Sequence, residues 1–365
     1  MRAIFALLLA CGCINVADMA QDTPGKPEHD PKATASSPKP DKGVSLLHLT
    51  RVGTVDVPSL STHSFTPPFP CDADSNIYYQ DDLRAPAIHK LNSKGEEVAL
   101  FQPGPNTDKK LDRGGNFAVS PNGDLYELVF PHELTRPVFV YKSDGTFKSV
   151  IKLDPGFIWF PSKIAVFSSG QMLVTGMEYD KDTTAEMWPF TGIFAGDGSL
   201  LKEVKLEDDE TLRDMGVAGD SRVKEVGTPG NKAIDFGQID VASDGNAYLM
   251  RWTNPAVIYA ISPGGQVVRR LTIDPGDPNY YPRTLHAFGN RLAILFVQHE
   301  SMEKIMKVVD LEGRDLSAYD ETRRSEAGKS MLTSAFYCYT ENPTRFLFLG
   351  ANDQSMLQFW IVEPR

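Results

Sequence analysis

Two dipeptides of the same kind stand at matching places in the sequence. His132-Glu133 begins six residues after Tyr126, and His299-Glu300 begins six residues after Ala293. An imidazole beside a carboxylate suits metal ligation and general acid–base catalysis. A metal shared by both histidines needs each ring nitrogen within about 2.1 Å of it. The pair therefore matters for metal chemistry only if the fold brings the two histidines to one point. Residue types that dominate binding hot spots are also present: Arg84, Trp188, Arg251, Trp252 and Arg283. With Glu178, His286, His132, Glu133 and His299 they make up the candidate ligand-binding set, and no catalytic role is assigned to any of them. The sequence has no G-x-S-x-G elbow, no H-E-x-x-H, no phosphate-cradling glycine loop and, past residue 20, no C-x-x-C. A formal net charge of −11, from 48 acidic and 37 basic residues, argues against a nucleic-acid partner. It suits a soluble protein and is compatible with cationic ligands.

Side chains so far apart in sequence must be positioned by a repeating element, and one is visible. In "ASDGNAYLMRW" (242–252) the turn pair Asp244-Gly245 leads straight into an apolar, aromatic run, as in a β-hairpin. Similar stretches are "DADSNIYYQ" (72–80), "SPNGDLYEL" (120–128), "FSSGQMLVTG" (167–176), "AFGNRLAILF" (287–296) and "TENPTRFLFLG" (340–350). Their anchors Tyr78, Tyr126, Leu173, Tyr248, Ala293 and Leu347 are separated by 48, 47, 75, 45 and 54 residues. Apart from one, these intervals match propeller blades of about 40–50 residues. A second hairpin follows each of the first five anchors, with turn glycines Gly95, Gly145, Gly198, Gly265 and Gly313. Two hairpins make a four-stranded blade. The sixth unit ends one strand short, and "SLLHLTRVGTVDV" (45–57) can supply that strand by pairing with 356–365. The expected fold is all-β: a six-bladed β-propeller over 44–365, closed by N- and C-terminal strands sharing the last blade.

"VASDGNAYLM" and "VSPNGDLYEL" resemble the repeat of NHL-type and related six-bladed propellers, an apolar strand followed by a D-x-x-G-x-[IL]-Y-V-like turn and strand. The resemblance implies an architecture; that superfamily holds binding scaffolds, lactonases and a peptide-amidating lyase, so fold alone selects no activity. In such propellers ligands meet the face lined by the connections between second and third strands and those between blades. Two function classes follow. One is an exported, non-enzymatic scaffold binding a small molecule, glycan, peptide or protein, with no cofactor. The other is a lactonase-like, metal-dependent hydrolase or lyase with axial Ca²⁺, for which the resemblance suggests Glu127, Asn116 and Asp235 by position. The motifs that flank such ligands in the lactonases are not found here.

The first 20 residues have a basic start at Arg2 and an apolar run from Ala3 to Ala17, the layout of a secretory signal cut after Ala20. "LLAC" and "ACGC", ending at Cys11 and Cys13, also fit lipoprotein boxes, which would give a lipid anchor as the only membrane contact. Either route places the protein in the periplasm, the cell envelope or outside the cell. Residues 21–43, rich in Pro, Lys, Asp and Ser, read as a disordered linker. The long interval carries an insertion, 207–233, expected to be more mobile than the blades and to lie over the ligand face. Cys71 and Cys338 each precede a hairpin turn on an innermost strand; either they form a disulfide joining blades one and six, or they are two buried thiols.

Overall fold

The computed structural model describes residues 46–56, 70–72, 74–80, 87–102, 111–131, 137–179, 187–206, 233–298, 304–321, 336–341, 344–351 and 357–364. The first 45 residues, most of the insertion (207–232) and most second-to-third-strand connections lie outside this set. The propeller falls within the second of the chain's two units, Gly43–Arg365. Every regular element among the described residues is a strand.

Strand β1 runs Leu46–Asp56. Blade one holds β2 (Ile77–Gln80), β3 (Ile88–Leu91) and β4 (Glu97–Phe101), with Cys71 bridged to Ile77 at the first-strand position. Blade two holds β5 (Leu111–Val119), β6 (Leu125–Pro131), β7 (Pro137–Tyr141) and β8 (Phe147–Lys152). Blade three holds β9 (Trp159–Val166), β10 (Met172–Tyr179), β11 (Met187–Phe194) and β12 (Leu200–Glu203). Blade four holds β13 (Ala233–Val241), β14 (Ala247–Trp252), β15 (Ala256–Ile261) and β16 (Val267–Ile273). Blade five holds β17 (Tyr280–Phe288), β18 (Arg291–Gln298), β19 (Lys304–Asp310) and β20 (Asp315–Glu321). Blade six holds β21 (Phe336–Glu341), β22 (Thr344–Ala351) and β23 (Leu357–Pro364), and β1 completes it.

The closure expected from the sequence is present. β1 runs antiparallel to β23, from Leu49 opposite Pro364 to Asp56 opposite Gln358. Its first residues also pair in parallel with β20, Leu46 with Ala318 through Leu49 with Glu321, so one strand links blades five and six. The turns follow from local chemistry. In nine hairpins the same closure recurs: in blade two, for example, Gly145 N–H donates to Lys142 O, Lys142 N–H donates to Thr146 O, and Asp144 Oδ1 accepts from Thr146 N–H. The third turn residue takes positive φ, which glycine adopts without the steric cost of a Cβ. Ser75, at φ 63°, holds that place in blade one, where Asp72 Oδ1 accepts from the N–H groups of Asp74 and Asn76.

Period-two alternation sends the two faces of each blade into two different interfaces, so the core lies between blades. Tyr78, Ile88 and Phe101 of blade one pack on Leu125, Val129, Phe139 and Tyr141 of blade two. Between blades two and three, Trp159 is buried, stacked on Phe194 and edge-on to Phe190. Comparable clusters fill the next three interfaces. Each fully buried Phe, Leu or Ile contributes about 1.5–3 kcal/mol, which holds neighbouring blades at fixed spacing.

Candidate functional site

The blades share one orientation. Turns joining first to second and third to fourth strands lie at one end of the ring, the turn end. Connections between second and third strands, and between blades, lie at the other, the connector end. The first strand of each blade is innermost and borders the axis.

The innermost strands share a feature that alternation does not foretell. β5 gains a residue between Gly114 and Phe117, opposite Val129 and Glu127. β9 gains Ser162 between the partners of Thr175 and Gly176. β13 gains residues between Ala233 and Gln238, opposite Trp252 and Met250. β17 gains Arg283 between the partners of Leu295 and Phe296, and β21 gains Tyr337 between those of Leu347 and Phe348. Counted from its turn, each second strand meets the shift after its third to fifth residue, so the bulges of blades two to six stand at one level. A β-bulge bends its strand and re-aims the extra side chain. The five together form a collar around the axis, toward its connector end.

Of the described collar residues, Ser162 donates its hydroxyl to Thr175 O at 3.2 Å. Asn116 Oδ1 accepts from Ile164 N–H of the next blade at 3.1 Å. Arg283 is exposed, and no acidic side chain among the described residues pairs with it. Although it keeps contact with solvent, partial desolvation by the protein around it lowers its pKa below the ordinary value. Next to it, the Thr284 hydroxyl is buried without a partner among the described residues.

Toward the turn end, three innermost-strand positions converge. Asp240 Oδ2 accepts from His286 Nδ1 and from Ala287 N–H, both at 2.8 Å, tying blade four to blade five. His286 Nε2 lies 3.7 Å from Cys71 Sγ. Cys71 is disulfide-bonded, which removes the free-thiol alternative for this residue. The side chain of Cys338 lies outside the described residues.

The candidates from the sequence thus separate. Arg283 stands in the collar. Arg251, on β14, is buried against solvent at 1% exposure. His286 is 8% exposed and pairs in register with Ala293, near the turn end, whereas Tyr280 of the same strand pairs with Gln298 at the connector end. Glu178 is half-buried at the connector end of β10, with Trp188 and Trp159 as its register partners. The side chains of Trp188 and Trp252 lie outside the described residues, as do Arg84, His132, Glu133 and His299 entirely.

The three positions suggested for axial calcium are not assembled by what is described. Glu127 is wholly buried on β6, where Tyr141 Oη donates to its Oε2 at 3.0 Å and its Oε1 has no partner among the described residues. Burial pushes its pKa up to about 8, so the carboxyl is mostly neutral at pH 7. It shares its strand face with Leu125 and Val129 and so points into the interface between blades one and two, away from the axis. Gln80, on the face of Tyr78 in blade one, enters the same interface with both amide atoms unpartnered among the described residues. Asn116 is engaged as above, and the side chain of Asp235 lies outside the described residues. No three His, Cys, Asp or Glu side chains converge as a metal site among the described residues. Sequence reading missed the collar, the Asp240–His286 contact and the Glu127–Tyr141 pair. A bulge leaves no mark in an apolar strand, and strand level is invisible without pairing.

No family model matches the sequence, and no curated protein matches it. Solved structures do. A "Putative exported protein" of Bacteroides fragilis is 10% identical, with 89% of this chain and 98% of that one covered and a TM-score of 0.50. A "putative gluconolactonase" is 14% identical over 87% of this chain and 92% of that one, at a TM-score of 0.45. YCF48 bound to D1 peptide is 11% identical over 89% and 99%, at 0.38. At such identities only the fold carries across, and the last two scores carry no weight for function. Strand order, closure and the Bacteroides fragilis likeness agree on one conclusion: this chain is a six-bladed β-propeller.

Proposed function

We propose that the protein is an exported, non-enzymatic binding propeller of the periplasm, cell envelope or extracellular space, which engages its ligand at the connector end of the axis. The observation that carries this reading is the collar. Five innermost strands each interrupt their pairing at one level, giving up ladder continuity there. Bulges concentrate where side chains must be re-aimed toward a ligand, and ligand sites are concave with a few placed polar groups. The collar also offers Arg283, a residue type favoured at hot spots. In chain order Arg84, His132, Glu133 and His299 fall between the second and third strands of blades one, two and five, and Trp188 and Trp252 fall at strand ends. A glycan, peptide or small molecule presented there is the expected ligand.

The test uses the protein lacking residues 1–20, applied to immobilised peptide and glycan arrays. Ser162→Trp places a bulky ring in the collar. The expected result is a restricted set of bound probes that this variant loses while its melting temperature is unchanged. Should the variant fold poorly, hydrogen exchange on the native protein with a bound probe replaces it, with protection expected at the connector ends of the innermost strands. Probes bound equally by the plugged variant, or protection confined to the outer strands, would overturn the reading. Cell fractionation tests export separately, with the protein expected outside the cytoplasm.

A further inference from the structure

Among the collar residues Arg283 is distinctive because it is a cation. Three other arginines have acidic or carbonyl partners: Arg314 donates to Asp310, Arg345 to Glu363, and Arg269 to Leu311 O. Arg283 has none among the described residues, although 48 acidic side chains are available in the chain. Its placement is built. Pro282 before it is buried, and the register of β17 and β18 resumes at once with Thr284 opposite Leu295. The bulge therefore isolates one residue and leaves the strand otherwise regular. Asn254 fixes the connection that leads into β17, its Nδ2 donating to Pro278 O and to Tyr280 O, both at 2.7 Å. An exposed guanidinium on an innermost strand, with no acidic partner among the described residues, keeps its donor fork open, and a bidentate oxyanion is what it complements best. The net charge of −11 does not oppose this, because exposed charges beyond a Debye length of about 8–10 Å are largely screened.

We infer that Arg283 is the anion-binding residue of the collar: it takes an oxyanion, carboxylate or phosphate, carried by the ligand that enters the connector end. This rests on the binding reading above and specifies its ligand class. The side chain is a recognition element, so the fold does not depend on it.

The experiment titrates the protein lacking residues 1–20 with acetate, methyl phosphate and chloride at constant ionic strength, following melting temperature and heat of binding. At least one oxyanion is expected to shift melting saturably where chloride does not, and the better of the two identifies the source chemistry. Arg283→Gln should weaken that binding about tenfold or more, as loss of a charged hydrogen bond implies. Arg283→Lys should retain part of it. Without anion, Arg283→Gln should melt at or above the native temperature, whereas a structural arginine would lower it. A saturable shift that survives Arg283→Gln, or no shift with either oxyanion, overturns the inference. If that happens while Ser162→Trp still abolishes array binding, the collar reading stands and only the anion assignment falls.

Discussion

Glu127 shows how far a single residue can mislead when read from sequence. Its position beside Tyr126, just past a turn, placed it among candidate calcium ligands. Its face of β6 is the one that meets blade one, and burial there keeps the carboxyl neutral. Tyr141 donates to it, and that phenol is itself pushed well above its ordinary pKa by burial and by Glu127. The linkage has a definite sign. In the unfolded chain Glu127 ionises near 4.5, while in the fold it holds its proton to about 8. Between those values the unfolded state binds fewer protons, so the contribution of Glu127 to stability is fully present below about pH 4.5 and is lost as pH rises through 8. Glu127→Gln keeps an acceptor for Tyr141 and removes the titration. Urea unfolding at pH 5 and pH 8 should show a smaller loss of stability for the variant, which at pH 8 should exceed the native protein by more than about 1 kcal/mol, less than one pKa unit's worth. Equal pH slopes in both proteins would refute this. His286, Arg251 and Arg283 all belong to the candidate ligand-binding set read from the sequence. Only pairing register separates a histidine at the turn end, a buried arginine and a collar cation.

At the scale of elements, the turns were the most legible part of the chain. Gly-bearing tetrapeptides dictate the hairpins, because positive φ is required at one position and few other residues tolerate it. What the sequence does not disclose is that some of these glycines are also contact points. A Cβ built on Gly198, at φ +93°, lies 2.0 Å from Lys152 O of the preceding blade, whereas one built on Gly245, at φ +80°, meets nothing within 4 Å. Gly245→Ala should therefore cost about 1–2 kcal/mol, the left-handed penalty alone. Gly198→Ala adds displacement of a neighbouring strand and should cost about 3 kcal/mol or more. Equilibrium unfolding of the two variants decides the order, and equal losses would show that blades do not register through their turns. Ser75→Gly should gain up to about 1 kcal/mol by relieving the same backbone conformation. The collar lies at this scale too, and it was not legible: Pro282-Arg283-Thr284 reads as ordinary strand until β18 is laid beside it.

For the whole molecule, ring closure decides stability. β1 buries Leu49 and Val55 and covers the edges of β20 and β23. Removing residues 21–43 should leave the melting temperature unchanged. Removing residues through 56 should destabilise the ring by about 3–6 kcal/mol from lost burial of two aliphatic side chains, with two sheet edges exposed besides. Identical melting of the two truncations would disprove closure. A further outcome concerns sulfur. Cys71 is disulfide-bonded, and Cys338 is the only other cysteine beyond residue 13. Denatured, unreduced protein lacking residues 1–20 should therefore titrate no free thiol, and two free thiols per chain would exclude the bridge. Blade count, hairpin turns and the strand that closes the ring were determined by the sequence itself, since each depends on local periodicity, turn chemistry or a missing strand. Which polar side chains face the axis, which enter the seams between blades, and where the innermost strands bulge were decided by tertiary structure alone. These depend on register against strands distant in the chain and on the crowding of six sheets around one axis, and no local stretch of residues encodes either.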